Sequence, residues 1–213
     1  MPLYLALETA TDVPTLALGS PDAPGEPLRL ASRRDLSRDI ESATRTLLER
    51  RRVGLGDLAG VIVSDGPGSF TGLRIGIAFA KGLCRARGLP LLAAPSMLGA
   101  AFAAAGGAGT VLVEYDALRG DVYRAAYRFG PARDAAGVAA LEVLDAPALV
   151  PREPPAPARA GLIRADAASA SAGALIRLAG VAGALAAIEA PDRWEPSYGR
   201  LAEAEVRRRA GER

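Results

Sequence analysis

Few residues of this 213-residue chain have the chemistry for a reaction, and most stand where an apolar run ends. Glu8 closes Leu3-Tyr4-Leu5-Ala6-Leu7, Asp65 closes Gly60-Val61-Ile62-Val63-Ser64, and Asp116 and Asp121 flank Ala117-Leu118-Arg119-Gly120. Carboxylates so placed could hold a Mg²⁺ ion. Asp also favours turns, because its side chain bonds to nearby backbone; the turn reading is preferred, and no metal is expected. The loop Gly66-Pro67-Gly68-Ser69-Phe70-Thr71-Gly72 lies between a strand and a helix N-terminus, where N–H groups and the helix dipole favour anions. The specific nucleotide patterns fail on spacing. A Walker A loop from Gly66 needs glycine where Thr71 stands, then Lys and Ser/Thr, and here Gly72 is followed by Leu73-Arg74. A dinucleotide fingerprint from Gly66 and Gly68 needs Gly or Ala at 71. Gly66, Pro67, Gly68, Ser69, Phe70 and Thr71 are therefore read as a structural loop that permits a sharp turn and close helix packing.

The chain has no histidine, which removes Ser-His-Asp and Cys-His catalysis and every imidazole metal site. Its one cysteine, Cys84, excludes an internal disulfide and fits a reducing compartment. Cys84 falls in an apolar helical run, so it reads as a small buried hydrophobe rather than a nucleophile. The net charge of +2 is too mild to argue for nucleic acid, and Arg207-Arg208-Arg209 reads as a solvated tail. The opening MPLYLALETATD lacks a basic n-region ahead of an apolar core, so no secretory signal is expected. Leu89 to Val113 carries no charge, but Pro90, Pro95, Gly99, Gly106, Gly107 and Gly109 interrupt it. It reads as strand-helix-strand rather than a membrane span, with Ser96 as a helix N-cap.

The elements that position these groups follow from periodicity. Leu3–Leu7, Thr15–Ser20 and Leu28–Arg33 are predicted as a three-strand antiparallel meander, because their connections are short. A helix follows over Ser37–Arg51, with Leu36, Ile40, Ala43, Leu47 and Leu48 on one face and Arg38, Glu41, Arg45 and Glu49 on the other. Then come a strand to Asp65, a helix over Leu73–Arg87 stopped by Gly88 and Pro90, a strand at Leu91–Ala94 and a helix at Ser96–Ala105. A shorter second half carries a hairpin of Thr110–Asp116 with Asp121–Phe129 and a strand at Leu141–Leu144. Ala146–Ala158 is a proline-rich linker or surface loop, Ala160–Ile163 a short strand, Ser169–Ala187 one or two weakly specified helices, and Leu201–Arg213 a polar tail.

The helix after the glycine loop is apolar nearly all round. Arg74, Lys81 and Arg85, with Ala78 between them, form one narrow stripe, so the helix should be covered on more than one side. Gly72, Gly76 and Ala80 recur at i, i+4, i+8, and small residues in a row let another backbone approach closely. That pattern favours a helix–helix interface with a partner, against burial by the chain's own second lobe.

The element order β-β-β-α-β-α-β-α is that of the ribonuclease-H-like half of the actin/hexokinase/Hsp70 fold. The fold class expected is therefore α/β: an actin-like, two-lobed fold with a mixed sheet flanked by helices and a reduced second lobe. The division expected is 1–105 for the lobe with the pairing helices and 106–213 for the smaller lobe. Glu8 stands where actin-like ATPases carry an acid, but the hairpin after it has no glycine until Gly19, so backbone cannot close easily round a phosphate.

The run SDGPGSFTGLRIGIAFAKGLCRARGLPLLAAPSM resembles the TsaB (YeaZ) family, and LALETATD, EYDALRGDVYRAAY and EPSYGR are similar to that family's patterns. The resemblance implies a cytoplasmic, non-catalytic dimerisation and activation subunit for tRNA N6-threonylcarbamoyladenosine formation. It implies pairing with TsaD through the first two helices, TsaE through that pair, tRNA only as part of the complex, and a homodimer when isolated. No cofactor, no membrane and no active site of its own are expected. Ile40, Thr44, Leu47, Gly72, Leu73, Gly76, Ile77 and Ala80 are the expected partner-binding residues. The family often carries histidine at the start of the first helix, where this chain has Arg34-Asp35-Leu36-Ser37-Arg38-Asp39. The alternative reading is a stand-alone actin-like ATPase or small kinase using the Glu8 hairpin and the Gly66–Gly72 loop. A metallopeptidase is opposed by the missing histidines.

Overall fold

The computed structural model describes residues 1–117, 120–130, 140–153 and 161–198. The first sheet begins as a meander, with β1 (Tyr4–Glu8) antiparallel to β2 (Thr15–Gly19) and β2 antiparallel to β3 (Leu28–Arg29). α1 (Leu36–Arg51) returns the chain to β4 (Gly60–Ser64), parallel to β1. α2 (Phe70–Arg87) returns it to β5 (Leu91–Ala94), parallel to β4. The alternation of strand side chains sorts the residues by size. Leu5, Leu7, Leu16, Leu18, Val61 and Val63 pack with α1 and α2, while Ala6, Ala17 and Ile62 join the core on the other face. Both faces are covered, so the central strands are apolar almost without interruption.

α3 (Ser96–Ala105) leads to a second sheet of β6 (Gly109–Asp116), β7 (Asp121–Phe129), β8 (Leu141–Pro151) and β9 (Leu162–Ala165), in the order β8-β7-β6-β9. Here too a three-strand meander is followed by a strand parallel to its first member, an echo of the first half that the sequence does not display. α4 (Ala172–Leu178) then packs on β1, β2 and α3, and β10 (Ala186–Ala187) adds to β5 as the sixth strand of the first sheet. α3 and α4 therefore form a layer between the two sheets. Residue 105 separates the sheets, but the chain crosses back to the first one after β9.

Four elements differ from their sequence expectations. β3 covers only Leu28–Arg29 rather than reaching Arg33. β8 runs through Ala146–Pro151, where a linker was expected; the residues of the expected loop from 154 to 158 lie outside the described ones. A ladder shift opposite Ala125 takes up Pro147, and β8 is an edge strand, so neither Pro147 nor Pro151 withholds an N–H from an interior ladder. The Ala/Gly-rich stretch forms only the short α4, and its end becomes β10. Ser96 does not cap α3: its hydroxyl donates to the Pro67 carbonyl at 2.5 Å, and its N–H to Gly66 O at 2.9 Å, tying α3 to the glycine loop. The polar tail lies outside the described residues, and among those described no helix is long and apolar enough to cross a membrane.

Candidate functional site

α2 starts where Ser69 accepts a hydrogen bond from Gly72 N–H at 3.1 Å, and ends at Gly88, whose φ of 65° suits a residue without Cβ. Its inner face is Gly72, Leu73, Gly76, Ile77, Ala80 and Cys84, all buried. The small row on this face fits the chain's own β1–β2 turn. A Cβ on Gly76 would stand 2.3 Å from Thr9 Oγ1, and one on Gly72 would stand 2.1 Å from the Thr9 carbonyl oxygen. Ile40, Thr44 and Leu47 of α1 are at most 5 % exposed. The eight residues expected to touch a partner thus lie in the core of the single chain. Helical spacing identifies a closely packed face without saying what packs there. Cys84 is buried, its thiol pushed up to about 11 by desolvation, as its apolar setting implied.

The polar stripe of α2 also has an occupant from the same chain. Lys81 Nζ donates to Trp194 O at 2.5 Å and lies 5.5 Å from the Trp194 ring centroid, and Arg85 pairs with Asp192 at 3.4 Å. Tyr198 packs on Phe70 in a tilted pair with ring centroids 4.6 Å apart, and the Arg74 guanidinium lies over the Phe70 ring, 5.3 Å from its centroid. Ser197 O lies where a Cβ on Gly66 would be, 2.0 Å away. Residues 192–198 form a strap along this side of the helix.

What remains of α2 is its outer face. At 100° per residue it comprises Thr71, Ile75, Ala78, Phe79, Gly82 and Ala86, without a charge among them. Thr71, Ala78, Gly82 and Ala86 are exposed, and Ile75, Phe79 and Leu83 are half-buried. Ala78, Gly82 and Ala86 form a second small row at i, i+4, i+8, and a Cβ on Gly82 would meet nothing within 4 Å. By contrast, the outer face of α1 is charged and internally paired, Arg45 to Glu41 at 3.3 Å and Arg38 to Asp39 at 2.7 Å.

The glycine loop and the Glu8 hairpin close on each other. Ser69 N–H donates to Ala10 O at 2.7 Å, and a Cβ on Gly68, whose φ is 158°, would stand 2.4 Å from that same oxygen. Ala10 N–H donates to Glu8 Oε1 at 2.8 Å, and Thr9 N–H to Ser64 Oγ at 3.4 Å. Of the N–H groups that could face a phosphate here, those of Thr9, Ala10, Ser69, Gly72 and Leu73 are bonded within the protein. Glu8 is fully buried on the face toward the second sheet; Ser64 Oγ–H donates to its Oε1 at 3.1 Å, and Oε2 has no partner among the described residues. Desolvation pushes its carboxyl up to about 7, against the bonds from Ala10 and Ser64, with Asp65 adding to the rise. Burial likewise pushes Asp65 up to about 6. Asp116 pairs with Arg152 at 2.7 Å, and among the described residues no three His, Cys, Asp or Glu side chains are grouped to hold a metal.

Residues 29–175 match the family TsaD, tRNA N6-adenosine threonylcarbamoyltransferase. The chain belongs to this family, within the actin-like superfamily. Its relatives include the tRNA threonylcarbamoyladenosine biosynthesis protein TsaB of Escherichia coli, 34 % identical over 126 residues, which are 58 % of this chain and 54 % of the relative. Bacillus subtilis TsaB is 37 % identical over 73 residues, 34 % of this chain and 32 % of the relative. The chain spans about half the length of the E. coli relative and a third of the B. subtilis one. Among solved structures, a Pseudomonas aeruginosa protein described as similar to peptidase YeaZ superposes with a TM-score of 0.75 at 25 % identity, over 94 % of this chain and all of that one. P. aeruginosa YeaZ superposes with a TM-score of 0.68 at 24 % identity, over 84 % and 91 %, and shares the fold. The TsaB/YeaZ resemblance carried by the glycine-loop run is thus matched by relatives of that name. Sequence reasoning named the inner row of α2 and not the outer one of Ala78, Gly82 and Ala86. Their spacing was as visible as that of the inner row, and only the position of Thr9 separates the two.

Proposed function

We propose that this chain is a TsaB-type subunit for tRNA N6-threonylcarbamoyladenosine formation, without an active site of its own, and that it pairs with TsaD through the outward sides of α1 and α2. TsaE joins through that pair, tRNA is engaged only in the assembly, the isolated chain pairs with itself through the same surface, and the setting is the cytoplasm. The observation that carries this reading is the uncharged outer face of α2, small along Ala78, Gly82 and Ala86 and apolar along Ile75 and Phe79, in a chain whose relatives are named TsaB. Small residues let a second helix approach closely, and the neighbouring half-buried rings supply apolar area to bury. The eight core residues hold that face in place from beneath. Absence of catalysis is supported by the missing histidines and by a glycine loop in which the Ser69 and Gly72 N–H groups are already bonded within the chain.

The test is co-purification of the full chain with TsaD. Gly82→Arg places charge and bulk on the outer row, where none of the described residues stands within 4 Å of an added Cβ, so the variant is expected to fold and lose TsaD. Gly76→Leu is unsuited to this purpose, because it strikes Thr9. Retention of TsaD by Gly82→Arg, in a variant with unchanged thermal unfolding, would sink the assignment. Calorimetry with Mg-ATP on the isolated chain should give no binding heat; saturable millimolar-or-better binding would favour an ATPase instead.

A further inference from the structure

α1 and α2 run parallel, because each leads into a strand of one parallel set, β4 and β5. Those strands start side by side, Val61 opposite Leu91, so the two helices end on the same side of the first sheet, toward the N-terminal ends of its parallel strands. The last turn of α1 carries Arg50 and Arg51 and its cap is Arg52; the last turn of α2 carries Arg85 and Arg87. Arg51 is engaged with Ala23 O at 3.3 Å and Arg85 with Asp192. Arg50, Arg52 and Arg87 are exposed and have no hydrogen-bond or ion-pair partner among the described residues. Among the other exposed arginines, Arg33, Arg38, Arg45, Arg128 and Arg152 are matched with carboxylates, while Arg29, Arg34, Arg177 and Arg193 stand singly elsewhere without such a partner among the described residues. Of the nearby acids, Asp57 accepts from Gly54 N–H at 2.7 Å, leaving Glu49 in the same turn of α1.

Cations near a helix C-terminus complement its dipole, which explains Arg50 and Arg87 without a ligand. Arg52 does not yield to that explanation. It lies beyond the helix with φ 54° and ψ 42°, the one non-glycine residue at positive φ among the described residues. α2 and α3 place Gly88 and Gly106 at the same left-handed cap position. A side chain kept where glycine would relieve backbone strain points to a use for that side chain.

We infer that Arg50, Arg52 and Arg87 form a phosphate-contacting surface for the tRNA backbone at the shared end of α1 and α2, away from the outer face of α2. The inference rests on the tRNA-modification reading above. Its chemistry is that of a backbone contact: exposed guanidiniums, no aromatic base platform between them, and an affinity that falls with salt as counterions are released.

The experiment is fluorescence anisotropy of the full chain, alone and with TsaD, on an unmodified labelled tRNA transcript across a salt series. The triple variant R50A/R52G/R87A should bind at least ten-fold more weakly at low salt, with a log–log salt slope reduced by roughly two to three. The control R128A/R152A/R164A removes the same charge from the paired face of the second sheet and should bind like wild type. Arg52→Gly alone should unfold about 2–4 °C higher while binding tRNA a few-fold more weakly, a combination that a merely structural arginine would not produce. Equal weakening by the two triple variants, or none by the first, overturns the inference, as does tighter binding of an equally charged duplex DNA. Co-purification of the triple variant with TsaD is expected to persist. Normal pairing with unchanged tRNA binding removes this surface alone; failure of the wild type to pair removes the function proposed above.

Discussion

The two sheets begin alike and are finished differently. In each, a three-strand meander is followed by a strand parallel to the first. The first sheet is covered on both faces, by α1 and α2 outside and by the α3–α4 layer inside. The second packs only its inner face, through Val111, Val113, Tyr115 and Tyr127, and its outer face is laced by ion pairs. Arg124 bridges Glu114 at 2.8 Å and Glu153 at 3.1 Å, Arg164 reaches Glu114 at 3.7 Å, and Arg128 meets Glu142 at 2.7 Å. A sheet face whose charges satisfy one another is complete against water. A sheet covered by helices acquires a new outside, and on α2 that outside has been left uncharged. The difference is what motivates the proposal that the shared surface lies on the first half of the chain.

The largest effect that would sharpen this contrast is at the two small rows of α2. Gly76→Leu should destabilise the chain by more than about 3 kcal/mol, because its side chain meets the 1 %-exposed Thr9. Gly82→Ala should instead gain about 0.5–1 kcal/mol through helix propensity. Urea denaturation of both reads the difference, and a Gly76→Leu variant as stable as wild type would show that the inner row is not packed on the hairpin.

The next effect concerns the buried acid between the sheets. The carboxyl of Glu8 is raised from 4.5 to about 7 in the folded chain, so the folded state holds a proton that the unfolded state releases. Its contribution is fully present below about pH 4.5 and is lost as the pH rises to about 7, a change of about 3 kcal/mol. Asp65, raised to about 6, acts in the same direction. Glu8→Gln, which keeps the shape and removes the titration, should flatten stability between pH 4.5 and 7. A wild-type stability that rises over that window would contradict the burial of Glu8.

Smaller again is the strap. Trp194→Ala removes a half-buried ring and the cation–π contact with Lys81, at a cost of about 1–2 kcal/mol. The expected signature is faster proteolysis between residues 188 and 198, with the second sheet still protected; uniform protection would mean that the strap is not held through Trp194. Least of all is Arg128→Ala on the second sheet. With both partners more than half exposed, it should change stability by less than about 1 kcal/mol, and high salt should erase the difference.

Much of the first half was legible because its signals are local. The end of α2 and the start of β5 follow from Gly88 and Pro90, although α2 begins at Phe70 rather than the expected Leu73, and the apolar runs of β1, β2 and β4 mark strands covered on both faces. The later half was less so. Pro147 argues against a strand unless that strand is known to lie at an edge, and Ala186–Ala187 carries no strand signal until β5 offers it an edge to join. The candidate site divided in the same way. The sequence reading named residues of α1 and α2 that the structure buries inside the chain, since Gly72-Gly76-Ala80 and Ala78-Gly82-Ala86 have the same spacing.

By itself, then, the sequence determined the fold class and the family. These rest on spacing along the chain, which periodicity and steric rules read directly. Tertiary structure alone decided which side of α2 is free. Thr9 claims one side and Trp194 another, and both reach the helix from segments far from it in sequence, so no local pattern could announce them.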